Sequence, residues 1–167
     1  MIQIEHKKLI FSLNTEGKTA QIIGNCNIKG NILIPRSIKY QKQDFIITSI
    51  CQKSFEQANI KSIRFSPDSE LKTIEKNAFS YSSIVSITIP SSITELKEGW
   101  CLNASKLKTV NLTTNNQYFM NYENQFIIGK SDSKSEEFDV LIFLPRCIKT
   151  VTIPSFIKKL ASYSLSH

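Results

Sequence analysis

The stretch Ile50-Cys51-Gln52-Lys53-Ser54-Phe55 returns as Ile74-Glu75-Lys76-Asn77-Ala78-Phe79. It comes back more loosely as Leu96-Lys97-Glu98-Gly99-Trp100-Cys101, and once more as Leu160-Ala161-Ser162-Tyr163-Ser164-Leu165. A second block alternates with it. That block reads Ile60-Lys61-Ser62-Ile63-Arg64-Phe65, then Ile84-Val85-Ser86-Ile87-Thr88-Ile89, then Leu107-Lys108-Thr109-Val110-Asn111-Leu112, then Ile148-Lys149-Thr150-Val151-Thr152-Ile153. The first block steps by 24 residues from Ile50 to Ile74 and by 22 to Leu96; the second steps by 24 from Ile63 to Ile87 and by 23 to Val110. A fixed period with a constant apolar frame means one structural unit stacked on copies of itself, each burying its apolar face on the next.

A period in the low twenties is that of a leucine-rich-repeat solenoid. The second block, with Leu107, Val110 and Leu112 pointing inward, is a short strand whose Ile, Val, Thr and Phe suit a pleated surface. Pro67, Pro90 and Pro154 close these strands, because proline cannot donate to a ladder. The first block predicts a two- or three-residue strand ending at Ile74, then a turn of helix or 3₁₀ that carries Phe79 into the core. The expected fold is therefore a strand-dominated α/β repeat, a right-handed solenoid. Ile50, Ile74, Leu96 and Leu160 stack as one ladder, and Ile63, Ile87, Val110 and Val151 as another.

Residues 1–49 differ in kind. Leu9–Leu13, the turn-forming Asn14–Lys18 and Thr19–Ile23 read as a hairpin, with further strands at Asn31–Ile34 and Phe45–Thr48. This segment is expected to be an N-terminal β cap over the first repeat, since an uncovered repeat would expose its apolar layer. Repeats follow over 50–112. Val110 to Val151 is 41 residues, and the excess predicts a β-hairpin inserted over 113–147, with its polar tip at Gly129–Glu137. Residues 148–167 form a last partial repeat. The strand Thr150–Ile153 is expected there with an open edge, and Leu165 in the place of Phe55 and Phe79. Such an edge invites self-association.

The chain has 167 residues, 41 % of them hydrophobic, which bounds it to one domain. The net charge of +7 comes almost wholly from lysines spread along the chain, with acids interleaved. Nucleic-acid binders concentrate such charge on one face, so a solvated surface is the reading and a nucleic-acid role is not expected. No stretch reaches the ~18–20 apolar residues of a membrane span. The opening Met1–Lys8 carries no basic segment followed by an apolar run, so no secretory signal is predicted. Cys26, Cys51, Cys101 and Cys147 lack the spacing of a zinc knuckle or a redox pair and are expected as four free thiols, Cys101 buried in the Phe79 position. The histidines, His6 and His167, stand outside the repeats, which leaves no base beside a nucleophile. Asp132, Glu136, Glu137 and Asp139 sit in the hairpin tip, where ordinary solvation is expected. With no phosphate-binding glycine motif either, the chain is read as a non-enzyme without catalytic residues, metal site or cofactor.

The repeats Ile89-Pro90-Ser91-Ser92-Ile93 and Ile74-Glu75-Lys76-Asn77-Ala78-Phe79 resemble the BspA-like leucine-rich repeats. The hairpin with Gly17-Lys18-Thr19-Ala20, the run Ile34-Pro35-Arg36-Ser37-Ile38 and the insert ending Leu141-Ile142-Phe143-Leu144-Pro145 are similar to segments of that family, trichomonad members included. The glycine that commonly follows the repeat Ile in the family is replaced here by Cys51, Glu75 and Lys97. The resemblance implies a surface protein that adheres to host matrix or cell-surface proteins. The opening residues imply the alternative, an intracellular interaction scaffold. For either, the expected partner-binding residues are the outward ones of the repeat strands: Ser62, Arg64, Ser86, Thr88, Thr109, Asn111 and Thr152, with Arg64 as the only charge. The aromatic group Tyr118, Phe119, Tyr122 and Phe126 is expected either to cover the coil opened by the insert or to add to this surface, with Tyr122 as its most exposed member.

Overall fold

The structure, a computed structural model, describes residues 1–123, 125–132, 134–145, 148 and 150–164. The described residues form fifteen strands and no helix. Strands β1 (Ile2–His6), β2 (Leu9–Asn14) and β3 (Thr19–Asn25) pair antiparallel in order. The β2–β3 hairpin turns where the sequence places it, with Asn14 Oδ1 accepting from the backbone N–H of Glu16 and Gly17. Strand β1 carries no such signal. Its two-residue turn uses Lys7 and Lys8 at φ 48° and 65°, the left-handed pair of a type I′ turn. The same device, Gln41 and Lys42 at 48° and 66°, joins β5 (Ser37–Tyr40) to β6 (Gln43–Ile50).

Beyond β3 two parallel ladders run side by side. The first links β3, β6, β8 (Thr73–Ile74) and β10 (Glu95–Leu96). The second links β4 (Lys29–Ile34), β7 (Asn59–Phe65), β9 (Ser86–Ile89) and β11 (Thr109–Leu112). Strands alternate between the ladders along the chain, so each repeat supplies one rung to each. Residues 19–34 already provide a rung of both. Ile22, Ile50 and Ile74 align in the first sheet; Ile63, Ile87 and Val110 align in the second, and all six are buried. Each such Ile contributes about 1.5–3 kcal/mol. Rings stack between repeats as well: Phe55 lies on Phe79 at 5.0 Å, and Trp100 meets Phe79 edge-on at 6.1 Å.

The expected helical turn is absent. The residues three and seven after the repeat Ile or Leu adopt left-handed backbone: Lys53, Asn77, Gly99 and Tyr163 at φ 61°, 58°, 63° and 63°, then Gln57, Tyr81 and Asn103 at 58°, 56° and 54°. A left-handed residue breaks the α-helical path, so the chain makes tight turns instead, with Ser54 N–H donating to Cys51 C=O and Ala78 N–H to Glu75 C=O. Neighbouring turns are tied by Phe55 N–H to Ala78 C=O and Phe79 N–H to Trp100 C=O, each 2.8 Å. Glycine suits this conformation best and occupies it once, where a Cβ on Gly99 would meet Asn77 Oδ1 and the Tyr163 ring at 3.2 Å. Gly99→Ala is therefore expected to cost about 1–2 kcal/mol and lower the melting temperature by about 2–8 °C. The exposed Lys53→Gly is expected to leave it unchanged or raise it. Equal losses in both variants, measured by thermal denaturation, would contradict this account.

Cys101 keeps the backbone place of Phe79 but is only half-buried; the adjacent Trp100 turns its ring into the core in its stead, 4 % exposed, and continues to Phe143 at 6.0 Å. Size explains the exchange, since a thiol cannot fill a slot shaped for a ring. Cys26 and Cys51 are free thiols, and burial holds the Cys51 thiol above its ordinary pKa. Cys147, Leu165 and His167 lie outside the described residues.

The insert is larger than a hairpin. Strands β12 (Phe119–Tyr122), β13 (Phe126–Gly129) and β14 (Val140–Phe143) form an antiparallel meander, and β15 (Lys159–Leu160) adds to β14 in parallel. Ala161 N–H donates to Leu141 C=O at 2.8 Å, as Glu75 N–H does to Ile50 C=O and Lys97 N–H to Ile74 C=O at 2.9 Å. Leu141 thus takes the rung next to β15 that the repeat frame assigns to Leu96. Two expectations fail for that reason. Leu160 pairs with Leu141, not Leu96, and is 52 % exposed; Val151 joins a small cluster with Phe126, Ile128 and Leu141 instead of stacking on Val110. Residues 150–153 form no strand, so the open edge expected there does not exist. Asp139 is another departure. It is buried, and accepts from the Ser131 hydroxyl at 2.8 Å and the Ser131 N–H at 2.9 Å, which hold its carboxyl below the usual range.

Candidate binding face

The outward side chains of the second sheet are set by its register. Ser62 lies beside Asn31 on one side and Ser86 on the other, and Ser86 lies beside Thr109. Leu33 pairs with Arg64, and Thr88 with Asn111. Six of the eight predicted site residues therefore share one face: Arg64, Thr109 and Asn111 exposed, Ser62, Ser86 and Thr88 half-buried. Ser62 Oγ donates to Asn31 Oδ1 at 2.9 Å, tying β7 to β4. Short side chains leave a hollow of about 640 Å³ over β4, β7 and β9, lined by Leu33, Lys61, Arg64 and Val85 among others. A separate hollow of about 250 Å³ lies between β11 and the insert, lined by Lys108, Thr109, Asn111, Asn121 and Gln125 among others.

The other two predicted residues stand elsewhere. Thr152 is exposed on a segment without strand pairing and does not join the sheet. Tyr122 is half-buried rather than exposed; its ring stacks on Phe126 at 5.2 Å and meets Phe156 at 5.4 Å. Partial burial and the Glu123 carboxylate hold its hydroxyl above the usual pKa. Phe119 and Phe126 are buried and Tyr118 half-buried, so the aromatic group packs the insert.

Arg64 is not the only charge on this face. The register between β4 and β7 shifts after Gly30, which gives β7 one extra residue, Lys61. Val85 N–H donates to Lys61 C=O at 2.8 Å and Lys108 N–H to Val85 C=O at 2.9 Å, so Lys61 on β7 and Val85 and Lys108, just ahead of β9 and β11, form a row of exposed residues. An even alternation of inward and outward residues hides this, because a bulge turns an expected inward residue out. Asn116 was also missed. Its Oδ1 accepts from Tyr118 and Phe119 N–H at 2.8 Å, and its Nδ2 donates to Ile93 C=O at 3.2 Å, which anchors the insert beside the sheet. An Asn followed at two and three residues by a strand start was the available signal.

Among the described residues no three of His, Cys, Asp and Glu come together as a metal ion would require, and no helix is long and apolar enough to cross a membrane. Comparison with known proteins agrees on the fold. The pneumococcal vaccine antigen PcpA has a crystal structure that aligns with a TM-score of 0.53 and 16 % identity over 98 % of this chain; the chain spans 61 % of PcpA's length. A leucine-rich repeat protein from Bacteroides capillosus aligns with a TM-score of 0.45 and 23 % identity, over 66 % of this chain and 98 % of that one. One from Eubacterium ventriosum gives 0.43 and 18 %, over 98 % and 57 %. No curated protein matches the sequence. The model of the BspA type leucine rich repeat region matches in six copies, over residues 25–128 and 48–167. With that match spanning most of its length, the chain belongs to the BspA-type leucine-rich repeat family.

Proposed function

We propose that this chain is a non-catalytic protein-recognition module, adhesive in character, whose repeats wind as a right-handed solenoid behind the N-terminal β segment. The observation that carries the reading is the outward face of the second sheet. Four parallel strands there present short polar side chains beside an open hollow, a surface that accepts a partner without rearranging its own backbone. Leucine-rich repeats characteristically offer an extended face of this kind. Host matrix and cell-surface proteins are the partner class, by family.

Purified matrix proteins, immobilised and probed with the wild-type chain and with Arg64→Glu/Asn111→Glu, test this. The wild type is expected to bind at least one of them. The double variant is expected to lose about tenfold or more in affinity, through two misplaced carboxylates, while melting within a few degrees of the wild type. Equal binding by the two proteins, or none by either, would count against the reading.

One observation favours the intracellular scaffold as a second reading. Cys26 is an exposed free thiol and Cys51 a half-buried one, and free thiols persist best in a reducing compartment. Antibody labelling of intact against permeabilised cells separates the two, since surface display predicts labelling of intact cells.

A further inference from the structure

From the same face we infer that the partner is an extended, acidic protein segment, seated across β7, β9 and β11 with its carboxylates on Lys61, Arg64 and Lys108. This rests on the binding-face reading and names the chemistry of what the face takes. The strands of the second sheet, Lys29–Ile34, Asn59–Phe65, Ser86–Ile89 and Thr109–Leu112, contain no Asp or Glu, although the chain has 14. Four cations elsewhere are ion-paired among the described residues: Arg36 with Glu70, Lys53 with Glu56, Lys97 with Glu95 and Lys158 with Glu137. Lys61, Arg64 and Lys108 are exposed and take part in no ion pair among the described residues. The three stand together on one face, and none of the residues lining the two hollows along it is acidic.

Spacing adds a constraint. Lys61 and Lys108 stand two strands apart, about 10 Å, and Arg64 lies three residues along β7 from Lys61, again about 10 Å. An extended segment with an acidic residue at every third position repeats at about 9–10 Å, in reach of these cations. Val85, 38 % exposed, lies between Lys61 and Lys108, and Leu33, 67 % exposed, lies beside Arg64 on β4. A protein segment can cover these with its own aliphatic side chains. A nucleic acid would need flat aromatic groups to stack on, and the outward face of β4, β7, β9 and β11 offers none of its own, since Phe65 packs against the core.

The probe is a labelled twelve-residue peptide with Glu at every third position and Leu and Ser between, against its Gln counterpart and an oligothymidine of equal charge. Anisotropy at low salt is expected to show binding of the Glu peptide, weaker binding of the oligothymidine and none of the Gln peptide. Binding should weaken steeply toward physiological salt, where exposed charges are screened. Lys61→Glu/Arg64→Glu/Lys108→Glu is expected to lose the peptide by at least about tenfold. The control Lys39→Glu/Lys72→Glu/Lys76→Glu, with the same change in net charge outside the face, is expected to retain it. Equal loss in both triple variants, equal binding of the Gln peptide, or tighter binding of the oligothymidine would overturn the inference. A matrix protein that the Arg64→Glu/Asn111→Glu variant loses, yet the Glu peptide fails to displace, would overturn it too and leave the binding-face reading standing.

Discussion

Ile87→Asp is expected to abolish cooperative folding. Ile87 is fully buried, paired in register between Ile63 and Val110, and its neighbours in the core are apolar. A carboxylate there either ionises without a partner or is held protonated, and either route adds several kcal/mol to the lost burial of the Ile side chain. The total exceeds about 4–5 kcal/mol, comparable with the whole stability of a small domain, about 5–15 kcal/mol. In a repeat array the damage spreads, because each unit is stable only through its neighbours. The control is one residue away. Thr88 is half-buried on the outward face, opposite Asn111, and Thr88→Asp should fold. Circular dichroism melts of the two variants decide the matter. A cooperative melt for Ile87→Asp would mean that the inward and outward sets of the second sheet have been exchanged.

That inward–outward division was legible because period and alternation are properties of the chain itself. Ile50, Ile63, Ile74 and Ile87 recur at 24 residues, and the same interval brings them into register. Six of the eight expected site residues fall on one face for the same reason. What was not legible depends on backbone exceptions and on choices between neighbours. The turns after Ile50 and Ile74 hold Lys53 and Gln57, Asn77 and Tyr81 in left-handed conformation, and of these only Asn announces it by residue type. The type I′ turns at Lys7-Lys8 and Gln41-Lys42 lack the usual Asn-Gly, so β1 and β5 left no trace. Lys61 turns outward through a register shift that no alternation records. Past Leu112 the frame stops helping, because Leu160 pairs with Leu141 in a third sheet and not with Leu96.

Trp100→Ala is expected to be the most damaging truncation, and to strike the insert hardest. Trp100 is the sole tryptophan, 4 % exposed, and joins two parts of the molecule: it meets Phe79 at 6.1 Å with the rings near perpendicular, and Phe143 of β14 at 6.0 Å. Phe79 continues to Phe55, so four rings from three repeats and the insert form one row. Removing a buried Trp costs about 3–5 kcal/mol through lost transfer energy and the cavity left behind. The neighbouring Cys101 cannot refill it, being small and held by the turn that places Trp100. At about 2–4 °C per kcal/mol the melting temperature should fall by about 6–20 °C. The location of the damage is the sharper test. The insert is tied to the repeats by Asn116 at the start of β12 and by this ring contact at β14. Backbone amides of residues 126–129 and 140–143 should therefore exchange faster in Trp100→Ala, by more than those of Ile63 and Ile87. Trp100→Phe, which keeps an aromatic ring in the row, should recover most of the protection. A uniform loss of protection across both sheets would show that Trp100 supports the core at large and does not hold the insert to it.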